Sequence, residues 1–211
     1  MALLYLVSFI YSNHTVPLLI SINASDAYRG LRLDQTVLVR GQEVEAMSER
    51  EGWGTLRKVP GGYEARLKRL IDHDRHRVWS MLTCSELLCQ WLAPGSVEPV
   101  LGGRVRIDFA ASGSTIDSTV SAIDVPSVLE YSWSSGNEPV RPVRWELAGN
   151  DECTELKLIL RLPENDDPAR ACAGWDTHLE MLLAAMEGVS ISFPVQRYRK
   201  AREAFAALAS T

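Results

Sequence analysis

The chain has 211 residues, 46% hydrophobic and 23% charged, with a formal net charge of -5. This composition excludes an intrinsically disordered chain and a polytopic membrane protein. The acidic balance argues against an electrostatic hold on nucleic acid or anionic lipid, which needs clustered Lys and Arg. The length suits one sizeable core with an appendage rather than two ordinary domains.

Residues 1–46 read differently from the remainder. Met1 to Ile10 is apolar without a basic n-region and is followed by polar SNHT, so it is too short to span a bilayer and makes a poor signal peptide. The triplets beginning at Asn13 and Asn23 match the glycosylation pattern, which matters only in a secreted protein. We expect residues 1–46 to be an extension, either poorly ordered or upstream of a true start at Met47. One folded domain is expected over 47–211. Cys84, Cys89, Cys153 and Cys172 form no CxxC pair, and on a helix Cys84 and Cys89 would lie about 140° apart, so neither a disulfide framework nor a thiolate metal site is expected. A reducing compartment, the cytoplasm, follows.

From Gly54 the pattern becomes regular. Thr55 to Val59 and Tyr63 to Ile71 flank Pro60-Gly61-Gly62, a hairpin turn whose glycines supply positive φ. Tyr63, Ala65, Leu67 and Ile71 share a face that Arg69 interrupts, either as a snorkelling edge residue, the favoured reading, or as a polar group in a cavity. Asp72 or Asp74 caps a helix from Arg75 with Val78, Trp79 and Leu82 inside, and a second helix, Ser85 to Leu92, ends before Pro94-Gly95. His73 and His76 flank Asp74, but no further His lies nearby to complete a metal site.

Five period-two segments follow. They are marked by Val105, Ile107 and Phe109; by Ile116, Val120 and Ala122; by Leu129, Tyr131 and Trp133; by Val143, Trp145 and Leu147; and by Leu156 to Leu162. Short links containing Gly, Asn and Pro make them an antiparallel meander. Pro168 to Gly188 is a long amphipathic helix with Cys172, Trp175, Leu179, Leu182, Leu183 and Met186 on one face, and Asp176 and Glu180 largely off it. After Pro194 a terminal helix over 194–208 aligns Tyr198, Ala201 and Phe205, and is expected to pack on the domain's outside or against a partner.

The order Val78-Trp79, Leu82-Thr83, Trp91, Gly102-Gly103, meander, then Gly174-Trp175 opening the last long helix resembles bacterial homologues of the activator of the ninety-kilodalton heat-shock chaperone ATPase. These belong to the START-like, or SRPBCC, superfamily. The resemblance covers about Gly54 to Phe205. It implies an α+β helix-grip fold, in which a curved antiparallel sheet wraps around the long C-terminal helix with a hydrophobic cavity between them. One departure is the helix start Asp72-His73-Asp74-Arg75-His76, where relatives commonly carry a Pro.

Trp79, Trp91, Phe109, Tyr131, Trp133, Trp145 and Trp175 lie on the expected apolar faces, where aromatic rings either fill a core or line a pocket. His178, three residues after Trp175, is the best single candidate for acid/base work, but no nucleophile or paired carboxylate can be placed beside it. The expected role is binding of a small hydrophobic or aromatic molecule without metal or organic cofactor. The alternatives are a cyclase-like or hydrolase-like enzyme using His178 with Tyr131, and a co-chaperone-like interaction domain. Expected partners beyond the ligand are a chaperone or a second copy through the terminal helix, with no nucleic acid and no membrane.

Overall fold

A computed structural model describes residues 4–11, 14–21, 52–109 and 113–210. The acceptor asparagines Asn13 and Asn23 lie outside the described residues, as do Ala110 and Ser112. The chain divides into two units, Met1–Met47 and Ser48–Thr211. In the first, β1 (Leu4–Tyr11) and β2 (His14–Ser21) pair antiparallel.

The second unit is α+β. Its strands are β3 (Thr55–Val59), β4 (Gly62–Ile71), β5 (Gly95–Val97), β6 (Arg104–Phe109), β7 (Ser114–Asp124), β8 (Val128–Ser132), β9 (Pro142–Gly149) and β10 (Thr154–Pro163). They form one curved antiparallel sheet in the order β3-β4-β10-β9-β8-β7-β6-β5. The helices are α1 (Arg75–Thr83), α2 (Ser85–Leu88), α3 (Pro168–Met186) and α4 (Val195–Ala209). This is the helix-grip arrangement, with α3 held in the concave face of the sheet.

Period-two patterning decides the sheet's inner face. Ala65 and Leu67 of β4, Val105 and Ile107 of β6, Leu129 of β8, Trp145 of β9 and Leu156, Leu158 and Leu160 of β10 are all buried. Gly61 and Gly62 take φ of 83° and 153° in the first hairpin, and a Cβ on Gly62 would run into the Leu162 carbonyl where β10 passes. In β7 the expected phase fails at Ala122. A bulge between Val120 and Ala122 shifts the register, so Ile123 stands opposite buried Leu129 instead. The segment after α2 turns rather than continuing as a helix to Leu92, and Gly95–Val97 adds a short edge strand where only a turn was expected.

Asp74 caps α1, its carboxylate accepting from the His76 and Arg77 amides at 2.9 and 3.0 Å. Asp167 caps α3 through the Arg170 amide, with Pro168 in the first turn. Cys172, Trp175, Leu179, Leu182 and Met186 are buried, as the helical spacing requires, and Leu183 is half-buried.

Two expectations are corrected here. Arg69 does not snorkel: it is 9% exposed, and its guanidinium donates to Asp176 Oδ1 at 2.6 Å and Glu180 Oε1 at 3.2 Å. Asp176 does not lie off the packed face: it is 0% exposed. The cause is α4, which packs on the back of α3 with Ala201 and Phe205 fully buried, and whose Arg197 donates to Asp176 Oδ2 at 2.8 Å and Oδ1 at 3.1 Å. The Arg197 guanidinium also stacks 4.8 Å from the centre of the Trp53 ring. Because Ala201 and Phe205 are buried within this same chain, a dimer through α4 would have to use its other faces.

Removing one member of a buried ion cluster strands the rest without counter-charge, at a cost of about 3–5 kcal/mol. Asp176→Ala is therefore expected to lower Tm on the order of 10 °C. Arg104→Ala, which breaks an exposed pair with Asp117, should leave Tm nearly unchanged. Thermal denaturation followed by circular dichroism checks both.

Candidate functional site

A cleft lies between the first half of α3 and the far strands of the sheet, and six residues from Asp167, the N-cap, to His178 border it. The cleft has a volume of about 760 Å³ and opens to solvent on one side. Its helical wall is Ala171, Gly174, Trp175 and His178, which stand at i, i+3, i+4 and i+7 and so share one stripe. Phe109 at the end of β6, Ile116 of β7, Trp133 just after β8, Pro142 and Val143 of β9 and Leu160 and Leu162 of β10 complete the apolar part.

The rings interlock edge to face. Phe109 and Trp133 have centroids 5.8 Å apart, Trp133 and Trp175 4.5 Å, and Trp175 and Trp145 5.4 Å. Such contacts add about 0.5–1.5 kcal/mol each beyond burial, so this wall is pre-formed. The mouth is charged. Arg141 forms a two-bonded pair with Asp166, at 2.6 and 3.2 Å, and also reaches Glu138 at 3.2 Å. The Asp166 hydrogen bond holds the Arg141 pKa above its usual value, with the Asp166 and Glu138 charges adding to it. Arg161 and Arg170 also border the cleft.

The structure brings Phe109, Trp133, Trp175 and His178 together at the cleft. It does not bring Trp79, Trp91, Tyr131 or Trp145 to its wall. Those four are buried in the core: Trp91 donates its indole N–H to the Met81 carbonyl at 2.9 Å, and Trp145 packs edge-on between Trp91 and Trp175. Burial pushes the Tyr131 phenol up to about 12, only partly countered by the nearby Trp145 indole. Tyr131 is therefore neither at the cleft nor poised to exchange a proton there.

His178 is half-buried. Its Nδ1 lies 3.2 Å from the Trp91 carbonyl oxygen, and Phe109, Trp175 and Phe193 pack around its ring. Loss of solvation lowers its pKa below the ordinary value, against a smaller upward pull from the Trp91 carbonyl. Among the described residues no three His, Cys, Asp or Glu side chains converge as a metal site. No helix there is long and apolar enough to cross a membrane.

Sequence reading used Gly174 only as a mark of the last long helix, not as a site residue, and missed the Arg141–Asp166 pair. A glycine in mid-helix without a cap was a readable signal. The ion pair joins residues 25 apart through the β8–β9 connection and the loop before α3, and nothing local announces it.

A family model described as Activator of Hsp90 ATPase homolog 1-like protein matches residues 72–187, more than half of the chain. Among solved structures, CalU16 from Micromonospora echinospora superposes with a TM-score of 0.62 at 19% identity, covering 74% of this chain and 96% of its own. DynU16, a protein in the dynemicin biosynthetic locus, gives 0.54 at 26% identity, covering 60% of this chain and 48% of its own. The Aha1 dimer from Colwellia psychrerythraea gives 0.52 at 19% identity, covering 59% and 96%. No curated protein matches.

Since the fold favours the neutral ring of His178, the unfolded chain binds the extra proton just below about pH 6.5. Stability should therefore fall as pH drops from that point, with the full penalty present once pH is below the folded pKa. Tm measured between neutral and mildly acidic pH is expected to fall more steeply in the native protein than in His178→Asn.

Proposed function

The chain belongs to the Activator of Hsp90 ATPase homolog 1-like family, and from that premise we propose that it binds a small hydrophobic or aromatic molecule in the cleft between the sheet and α3. The observation that carries this reading is the cleft itself. A space of about 760 Å³ falls within the usual range for small-molecule sites, roughly 300–1,000 Å³, and its aromatic wall is braced before any ligand arrives. Aromatic faces take an apolar body, and the Arg141, Asp166 and Glu138 groups at the mouth meet its polar end.

Gly174 supports the same reading. A Cβ there would meet nothing within 4 Å, so packing does not require glycine, although glycine in mid-helix is less stable than alanine. What the missing side chain does provide is depth on the helical wall of the cleft. DynU16, at 26% identity, comes from a locus for the biosynthesis of a small molecule, which also favours a small-molecule role here. A reaction pairing His178 with Tyr131 lacks that support, because Tyr131 is absent from the cleft wall. The scattered free thiols suit a protein working in the cytoplasm.

Titration with aromatic and lipid-like compounds, followed by tryptophan fluorescence, is expected to quench or shift the emission of Trp133 and Trp175. Trp175→Ala should weaken that response far more than Leu182→Ala, whose main effect should be a loss of about 2–5 kcal/mol of stability. The reverse order, or no response to any class, would sink the reading. Native mass spectrometry of the purified protein gives a second check, through a retained small molecule and the oligomeric state.

Gly174→Ala separates stability from function. It should stabilise the fold by about 0.4–1 kcal/mol while weakening ligand binding, as read by thermal denaturation and fluorescence titration on one sample.

A further inference from the structure

His178 has two ring nitrogens, and the fold assigns them different tasks. Nδ1 lies 3.2 Å from the Trp91 carbonyl oxygen. A carbonyl can only accept, so Nδ1 carries the proton in this contact. In the neutral ring Nε2 then holds a lone pair and no proton. Among the described residues Nε2 has no hydrogen-bond partner, and the ring forms part of the cleft wall.

The arrangement is held from behind. The Trp91 indole is 1% exposed and tied to the Met81 carbonyl, and the Trp91 amide donates to the Leu88 carbonyl at the end of α2. Phe109, Trp175 and Phe193 hold the imidazole with centroids 6.4, 6.3 and 5.6 Å away. Turning the ring over would place a carbon against the Trp91 carbonyl and lose the bond. Trp91 is thus a positioning residue, acting on the cleft through its backbone.

We propose that His178 Nε2 is a fixed hydrogen-bond acceptor that selects aromatic ligands bearing a donor, a phenolic hydroxyl or a ring N–H, over isosteres that lack one. The proposal rests on the cleft being the ligand site. An apolar ligand without a donor would cover Nε2 and leave an acceptor buried and unpaired, whereas a phenol would satisfy it. The chemical class is therefore a planar hydroxyaromatic, with its hydroxyl beside α3 and its body against Trp133 and Trp175.

The test compares 2-naphthol, 2-methoxynaphthalene and naphthalene by calorimetric titration of the full chain above about pH 7, where an unperturbed histidine is already neutral. The native protein should bind 2-naphthol on the order of tenfold more tightly than either analogue. In His178→Asn, whose amide can still donate to the Trp91 carbonyl, the ratio of naphthol to naphthalene affinity should fall to about one. Near-UV circular dichroism confirms that the variant is folded. Nitrogen-15 NMR of the unliganded native protein should show His178 protonated at Nδ1 and bare at Nε2. Equal affinity for naphthol and its methyl ether, or a spectrum with the proton on Nε2, overturns the selection while leaving the cleft as a binding site. Binding of none of the three overturns the cleft reading, and the selection with it.

Discussion

The buried carboxylate of Asp176 is the contact on which the arrangement of this domain turns. It accepts from Arg69 on β4 and from Arg197 on α4, and Glu180, one turn on, lies 3.2 Å from both guanidiniums. Two cations and two anions balance in a place where each alone would be costly by several kcal/mol. Because the three elements meet at one side chain, the cluster also fixes how α3 is rotated about its own axis. At about 100° per residue, Ala171, Gly174, Trp175 and His178 fall roughly 100–160° around the helix from Asp176. The ion cluster on one side of α3 thus sets which stripe looks into the cleft on the other. A hydrophobic core alone would tolerate some rolling of the helix, since apolar contacts are not directional; a two-bonded guanidinium–carboxylate pair is directional and does not.

The same helix does two jobs along its length. Its second half is closed: Leu179, Leu182, Ala185 and Met186 are buried against sheet and α1. Its first half is left open on one side because Gly174 projects nothing and because the Arg141–Asp166 pair holds the connection after β8 against the loop that leads into the helix. The cleft is a consequence of where packing stops, and the two-bonded ion pair defines that edge.

Much of this was legible in the sequence, for identifiable reasons. Strands with one wet face announce themselves by alternation, and the Pro60-Gly61-Gly62 turn and the Asp74 cap are local signals, so the meander and the start of α1 could be read directly. Pro168 to Gly188 was legible as a helix from its stripe. What failed was everything that depends on a third layer. Which face of the domain the terminal helix would cover was not legible, so Asp176 looked like a surface charge and Arg69 could not be assigned a counter-charge, although both are buried once α4 covers the back of α3. The aromatic set was drawn from inward-facing positions, and inward-facing does not distinguish core from cleft. Trp91 and Trp145 point inward as surely as Trp133 and Trp175, and only the curvature of the sheet and the ending of β8 at Ser132 decide which rings reach open space.

The separation of those rings into two groups has its own physical meaning. Trp91, Trp145, Trp175 and Trp133 form a continuous chain of edge-to-face contacts, from the fully buried centre to the cleft. The inner two are immobilised by the core, and through them the outer two are braced by ring contacts. A wall made this way has little side-chain freedom left to lose, because that entropy is already lost on folding. His178 follows the same logic in polar form: a backbone carbonyl in the rigid core fixes the tautomer of a ring in the cleft. Trp91 and Trp145, set in the core, therefore support the cleft wall from behind, by holding its surface still.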